Sequence, residues 1–251
     1  MKVASKYSRR NTTTCLVLLL PAAALGSLFL AWRLLAIFDF FYPAIYDAIG
    51  IDTHIAKYAP LNRYRRGFEL TTRDEHLRLF ADISTAVRDD GYGLGSIVYK
   101  DTNGKTLGVL LRPPEITHLT DVARLVTALE RSGWIALIVV VTLLLVVRRW
   151  RIGLPTPHKL STLSAAGVVL LSLGILIAGP VDVFYGIHRW VFPAGHQWFF
   201  FYEESLMSTL MKAPDLFGYI AGILLALSLI IFWLILWMAS RLGVRSKPQS
   251  P

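Results

Sequence analysis

A chain of 251 residues in which 54% of the side chains are hydrophobic and only 17% are charged is too apolar for an ordinary soluble domain. Its formal net charge of +9 would suggest a nucleic-acid partner if the cations formed one basic face. Eleven of the 26 Lys and Arg instead crowd three short segments that hold no acidic residue and flank long apolar stretches, which decides against nucleic acid and makes a bilayer the first hypothesis.

The chain opens on a basic stretch, with Lys2, Lys6, Arg9 and Arg10, followed by an apolar run from Thr14 to Phe38. A cleaved signal peptide is the competing reading, since Ala22-Ala23-Ala24 offers small residues. The run continues through Phe29, Leu30, Leu34, Leu35 and Phe38, long enough for a retained anchor. Cys15, the single cysteine, sits inside this run, so no internal disulfide forms and a packing role is expected.

Residues 39–133 are long enough for a small domain. Phe40, Phe41, Tyr42, Tyr46 and Tyr58 predict that it begins along the membrane interface, where amphipathic rings are favoured. Thr72-Arg73-Asp74-Glu75 has capping-box spacing, and Leu77, Phe80, Ile83 and Val87 recur at helical intervals, which predicts a helix over 72–89. Ser96–Lys100 and Thr106–Leu111 flank Asn103-Gly104, a dipeptide suited to positive φ, and predict an antiparallel hairpin. Pro113-Pro114 stops the second strand and starts a helix patterned on Ile116, Leu119, Val122, Val126 and Leu129.

That helix should lead straight into a second apolar stretch, Trp134 to Val147. Fourteen residues rise only about 21 Å against a hydrocarbon core of about 30 Å, so the span is expected to begin near Leu125, with Glu130 and Arg131 snorkelling to the boundary. A third stretch runs from Leu160 to Ala178 and a fourth from Phe217 to Ala239, and the Ser/Pro tail after Arg245 reads as disordered.

Charge sorting orients these spans. Besides the N-terminal cations, basic residues gather at Arg148, Arg149, Arg151 and Lys159, and at Arg241, Arg245 and Lys247, whereas all 17 acidic residues lie between Asp39 and Asp215. The expected protein is a mainly α integral membrane protein of the cytoplasmic membrane, with both termini cytoplasmic and a four-transmembrane-helix bundle. Its expected parts are residues 1–39 (N-terminus and first span), 40–132 (a small extracytoplasmic α+β domain between helices 1 and 2), 133–180 (spans two and three with their basic loop), 181–215 (an extracytoplasmic aromatic loop) and 216–251 (fourth span and tail).

Chemistry-capable residues concentrate in the two external segments. Glu115, His118 and Asp121 stand at i, i+3 and i+6 on the helix after the double proline, and the first two fall within or beside its apolar arc. The plain reading is that Glu115 satisfies the helix N-terminus, His118 is a core histidine and Asp121 is solvated. The functional reading needs partners, which the segment from Phe184 to Trp198 supplies: His188 and His196 are acid–base groups suited to neutral pH, set among rings that also make an interfacial belt. A zinc site is an alternative, but the spacing matches no zinc fingerprint and no cysteine assists. A serine nucleophile at Ser205 or Ser208 lacks a nucleophile-elbow context. Arg63, Arg65, Arg66 and Arg73 form either a headgroup-facing patch or an anion clamp, with Arg66 and Arg73 the candidate substrate-binding residues.

Four spans, the segment Glu115-Ile-Thr-His118-Leu-Thr-Asp121-Val, and the segment Ile187-His188-Arg-Trp-Val-Phe192-Pro-Ala-Gly-His196-Gln-Trp198 together resemble the lipoprotein intramolecular transacylase family of bacterial membrane proteins. The resemblance covers most of residues 10–240, and only those two segments are specific. It implies transfer of the sn-2 acyl chain of a diacylated lipoprotein to the α-amine of its own N-terminal cysteine. It also implies that His118 and His188 are the two active-site histidines and that Asp121 and Trp198 occupy motif positions. His196 and Ile187 depart from the family pattern, which often has Asn or Asp near the former and Phe at the latter. No cofactor or metal is expected, because a base, an acid and oxyanion stabilisation suffice when both reacting groups belong to one molecule. The partners expected are a diacylated lipoprotein or phospholipid. A non-catalytic lipid- or lipoprotein-binding protein and a metal-dependent interfacial hydrolase are the competing readings.

Overall fold

A computed structural model describes residues 2–243; the tail after Arg245, including Lys247, lies outside the described residues. In chain order the helices are α1 (Lys2–Ile37), α2 (Tyr42–Ala48), α3 (Ile51–Tyr58) and α4 (Arg73–Arg88). The strands β1 (Val98–Lys100) and β2 (Thr106–Val109) follow, then α5 (Pro113–Arg149), α6 (Pro157–Ala178), α7 (Pro180–Val191), α8 (Leu206–Met211) and α9 (Asp215–Leu242). The protein is mainly α, and three of its helices are long and apolar enough to cross a membrane: Thr12–Ile37, Pro113–Arg149 and Asp215–Leu242. Ser164–Ala178 and Val181–Val191 form a pair bent by 95°, and the number of such segments rises to four if that pair is one span.

The chain separates into two compact units. One comprises the chain up to Trp32, Glu130–Val183 and the chain from Leu224 onward. Its centre is built from Leu19, Ala22 and Ala23 of α1, Val140 of α5, and Ile235, Leu236 and Ala239 of α9. Small residues let these helices approach closely: a Cβ on Gly133 would collide with the Phe29 side chain, whose ring meets Trp134 edge-on at 5.0 Å. Cys15 is buried here, in keeping with the packing role expected of it. By contrast, every side chain of α6 from Ala165 to Ala178 is exposed.

The second unit comprises Arg33–Leu129 and Phe184–Ile223, so most of residues 40–132 and 181–215, read separately from sequence, folds into one body. Thr72 caps α4 by accepting from the Glu75 amide at 3.3 Å, as the capping-box spacing predicts. The hairpin also forms, but its turn is longer than a two-residue connection. Asp101 and Lys105 close it, Gly104 takes φ 78°, and the Asp101 carboxylate accepts from the amides of Asn103 and Lys105. α5 runs from Pro113 without interruption, as expected.

Two expectations are corrected. The rings of Tyr42 and Tyr46, expected to be presented to a membrane interface, are instead buried in protein, Tyr42 stacking on Phe80 of α4 at 3.9 Å and donating its hydroxyl to the Leu210 carbonyl at 2.7 Å. A phenol whose O–H finds a carbonyl loses nothing by burial, so these rings serve the core of the unit. His188 does not lie in a loop either. Gly179 breaks the preceding helix at φ 86°, Pro180 pre-sets a new first turn, and α7 carries His188 in its last turn.

Candidate functional site

The candidate site lies wholly within the second unit and is built up from the first turn of α5. The Arg112 carbonyl accepts the Ile116 amide, and the Arg112 amide donates to Oε2 of Glu115 at 2.5 Å. This reach-back, in which the third helical residue satisfies the N-cap amide, is half of a capping box. Glu115 is completely buried; its Oε1 accepts the Ser205 hydroxyl, and Oε2 lies 3.5 Å from Nε of Arg112. Ser205 in turn caps α8 by accepting from the Ser208 amide at 2.9 Å. The Arg112 guanidinium lies over the Tyr64 ring at 4.4 Å, and Arg65 donates through Nε to the Val109 carbonyl at 2.8 Å. Glu115 thus does satisfy its helix N-terminus, while also fastening α5 to the segment that starts α8.

One turn further on, the His118 ring packs against Phe192 at 4.8 Å and Phe200 at 6.0 Å. Its Nδ1 is buried with no hydrogen-bond partner among the described residues. A buried imidazole nitrogen without a partner forgoes a hydrogen bond, a cost that core histidines usually avoid.

His188 approaches the same aromatic ring. It lies 5.4 Å from Phe192, 5.0 Å from Trp198 and 3.9 Å from Phe184, and its Nδ1 is 2.8 Å from the Phe184 carbonyl oxygen. A carbonyl oxygen only accepts, so Nδ1 carries the hydrogen, and Nε2 of the neutral ring holds the free lone pair. Phe192 therefore stands against both histidines, and Trp198 walls the second.

His196 joins from the segment between Phe192 and Trp198. Its Nδ1 donates to Oδ2 of Asp121 at 2.5 Å, and Oδ1 of Asp121 lies 3.5 Å from Nη1 of Arg124. Asp121 is not solvated, since its side chain is 8% exposed against 38% for His196.

The candidate arginines stand elsewhere. Arg73 holds Asp47 of α2 through two bonds, at 2.9 and 2.7 Å, and lies over the Tyr46 ring. The hydrogen bond from Arg73 keeps the Asp47 carboxyl below its ordinary range. Arg66 is exposed, and its carbonyl accepts the Tyr99 hydroxyl. Neither residue contributes a contact to the rings around His118. Arg63 binds Glu204 through its guanidinium and Glu203 through its amide.

Of the two other histidines of this unit, His76 has both ring nitrogens hydrogen-bonded, whereas Nε2 of His54, like Nδ1 of His118, is buried with no hydrogen-bond partner among the described residues. The Thr71 hydroxyl donates to the Phe68 carbonyl, so Nε2 of His76 donates to Thr71 and its Nδ1 accepts from the Tyr46 hydroxyl. Burial pushes His76 down to about 4. His54, between Tyr58 and Tyr202, is also pushed down to about 4, by burial first and then by the Lys212 ammonium. Among the described residues, no three His, Cys, Asp or Glu side chains form a group that could hold a metal ion.

Sequence reasoning passed over Arg112, Phe192 and Phe200 as parts of this arrangement, and it weighed Ser205 only as a nucleophile. The spacing from Arg112 to Glu115 carried the reach-back signal, and the spacing from Ser205 to Ser208 carried the cap. The chain matches no family model, no curated protein and no solved structure.

Proposed function

We propose that this chain is a membrane-embedded acyltransferase of the bacterial cytoplasmic membrane that moves an acyl chain within one substrate molecule. The sn-2 ester of a diacylated lipoprotein is the donor and the α-amine of its N-terminal cysteine the acceptor, giving a lyso-form lipoprotein. The observation that carries this reading is the placement of His118 and His188 against one ring, Phe192. Two imidazoles so placed suit a reaction that needs a proton taken from an attacking amine and a proton given to a departing alkoxide. His188 is the base in this scheme, because its Nδ1–H is committed to the Phe184 carbonyl and Nε2 is left to accept. His118, pushed down to about 4 by burial and then by His188, is neutral at rest, so it first takes up a proton from the reacting ammonium and then passes it to the glycerol oxygen. The substrate itself supplies proximity, so no enzyme nucleophile is required.

The candidate spans and the sorting of charge support this membrane placement. Both termini and the Arg148–Lys159 segment face the cytoplasm in this reading, α6 provides the remaining crossing, and residues 40–132 and 181–215 are extracytoplasmic. Exposed apolar side chains along α6 suit contact with lipid.

The test is incubation of purified protein with a diacylated lipopeptide, followed by mass spectrometry of its fragment ions. The total mass stays constant while the second acyl chain moves from glycerol to the cysteine nitrogen. Substituting either His118→Ala or His188→Ala should lower the rate by about 10²–10⁴-fold, the range for loss of an acid–base group. Full activity in both variants would refute the acid–base scheme, and an unchanged fragment pattern with wild-type protein would favour a lipid-binding protein.

A further inference from the structure

The transfer proposed above does not conserve protons within the substrate. A free α-amine has an ordinary pKa of about 7.7–8.0 and is mostly an ammonium at neutral pH. Ammonium plus ester gives amide plus alcohol plus one hydrogen ion: the new C–N bond replaces the C–O bond, nitrogen gives up two protons, and the alkoxide takes one. One proton per turnover must therefore reach bulk water, although Nδ1 of His118 is buried and both histidines are only half-exposed.

Resting on that reaction, we propose that His196, held by Asp121, is the group through which this surplus proton leaves. Asp121 follows His118 by three positions on α5, so the two side chains are neighbours on one helix surface, and its carboxylate is 8% exposed. His196 bridges this covered position to solvent: Nδ1 is bound to Asp121, and the side chain is 38% exposed. The carboxylate fixes the tautomer, so Nε2 of the neutral ring is the acceptor. Its segment is built into the same walls, since Phe192 meets both histidines and Trp198 packs on His188. The charged and titratable groups facing the pair are Arg124, at 3.5 Å from Asp121, and His118 from the preceding turn.

The experiment is a chemical-rescue series with full-length protein in detergent or lipid nanodiscs and a diacylated lipopeptide. His196→Asn keeps an N–H for Asp121 but cannot carry a proton, and His196→Ala removes both. In dilute, weakly buffering medium both variants should turn over about 10²-fold more slowly than wild type, at the low end for acid–base groups. KM should stay unchanged in His196→Asn, and added imidazole should restore kcat saturably in both. Wild-type rates in His196→Asn without added buffer would overturn the assignment, as would a loss that imidazole leaves untouched while the thermal midpoint is unchanged. If wild-type protein transfers no acyl chain, it is the proposed reaction that fails; if wild type transfers and rescue is absent, only the exit role of His196 fails.

Discussion

At the residue scale, the second unit spends its buried polar groups in two different ways. Both oxygens of Glu115 are committed, one to the Ser205 hydroxyl and one to the Arg112 amide, with the Arg112 guanidinium beside it. A group so fully used holds structure. Glu115→Ala strands at least two donors in a dry interior, at about 1–3 kcal/mol each. A fall in the thermal midpoint in detergent, larger than the fall caused by Ser205→Ala, is the expected result. His118 is the opposite case: its Nδ1 makes no hydrogen bond among the described residues, and what such a nitrogen forgoes in stability it keeps available for chemistry.

At the element scale, the caps and turns follow local rules. Thr72 accepts from the Glu75 amide because Asp74 and Glu75 open the first turn of α4 and the chain before it is extended. Thr72→Ala should cost about 1 kcal/mol, readable as a lower thermal midpoint, whereas Thr72→Ser should leave it near the wild-type value. The same helix carries His76, Leu79, Phe80 and Ile83 into the core of the unit. Breaking its start therefore also loosens the wall on which Tyr42 and Tyr46 rest.

At the scale of the whole molecule, acid stability reports the buried histidines. His76 and His54 are each pushed from an ordinary 6.5 down to about 4, chiefly by burial. The unfolded chain binds their protons at a higher pH than the folded chain does, so stability is full above about 6.5 and falls as pH drops toward 4. Thermal midpoints should fall between pH 7 and pH 4.5. With His76→Gln that slope should be shallower; an identical slope would mean that His76 titrates alike in both states.

Sequence by itself determined whatever depends on neighbours within a few positions. Hydropathy marked the apolar runs later found as Thr12–Ile37, Pro113–Arg149 and Asp215–Leu242, because one helix of sufficient length is what such a run forms. Spacing marked the Thr72 cap, the hairpin around Gly104 and the helix after Pro113-Pro114, each an interaction over five residues or fewer. It also singled out Glu115, His118, Asp121, His188 and His196 as residue types able to do chemistry. Tertiary structure alone decided which of them meet. Ser205 reaches Glu115 across 90 positions and His196 reaches Asp121 across 75, and it is Phe192 that stands against both His118 and His188. Burial of Tyr42 and Tyr46, the bend at Gly179 and the capture of Arg73 by Asp47 belong to the same class. Local spacing encodes turns and faces, whereas these contacts depend on how every element of the unit packs at once.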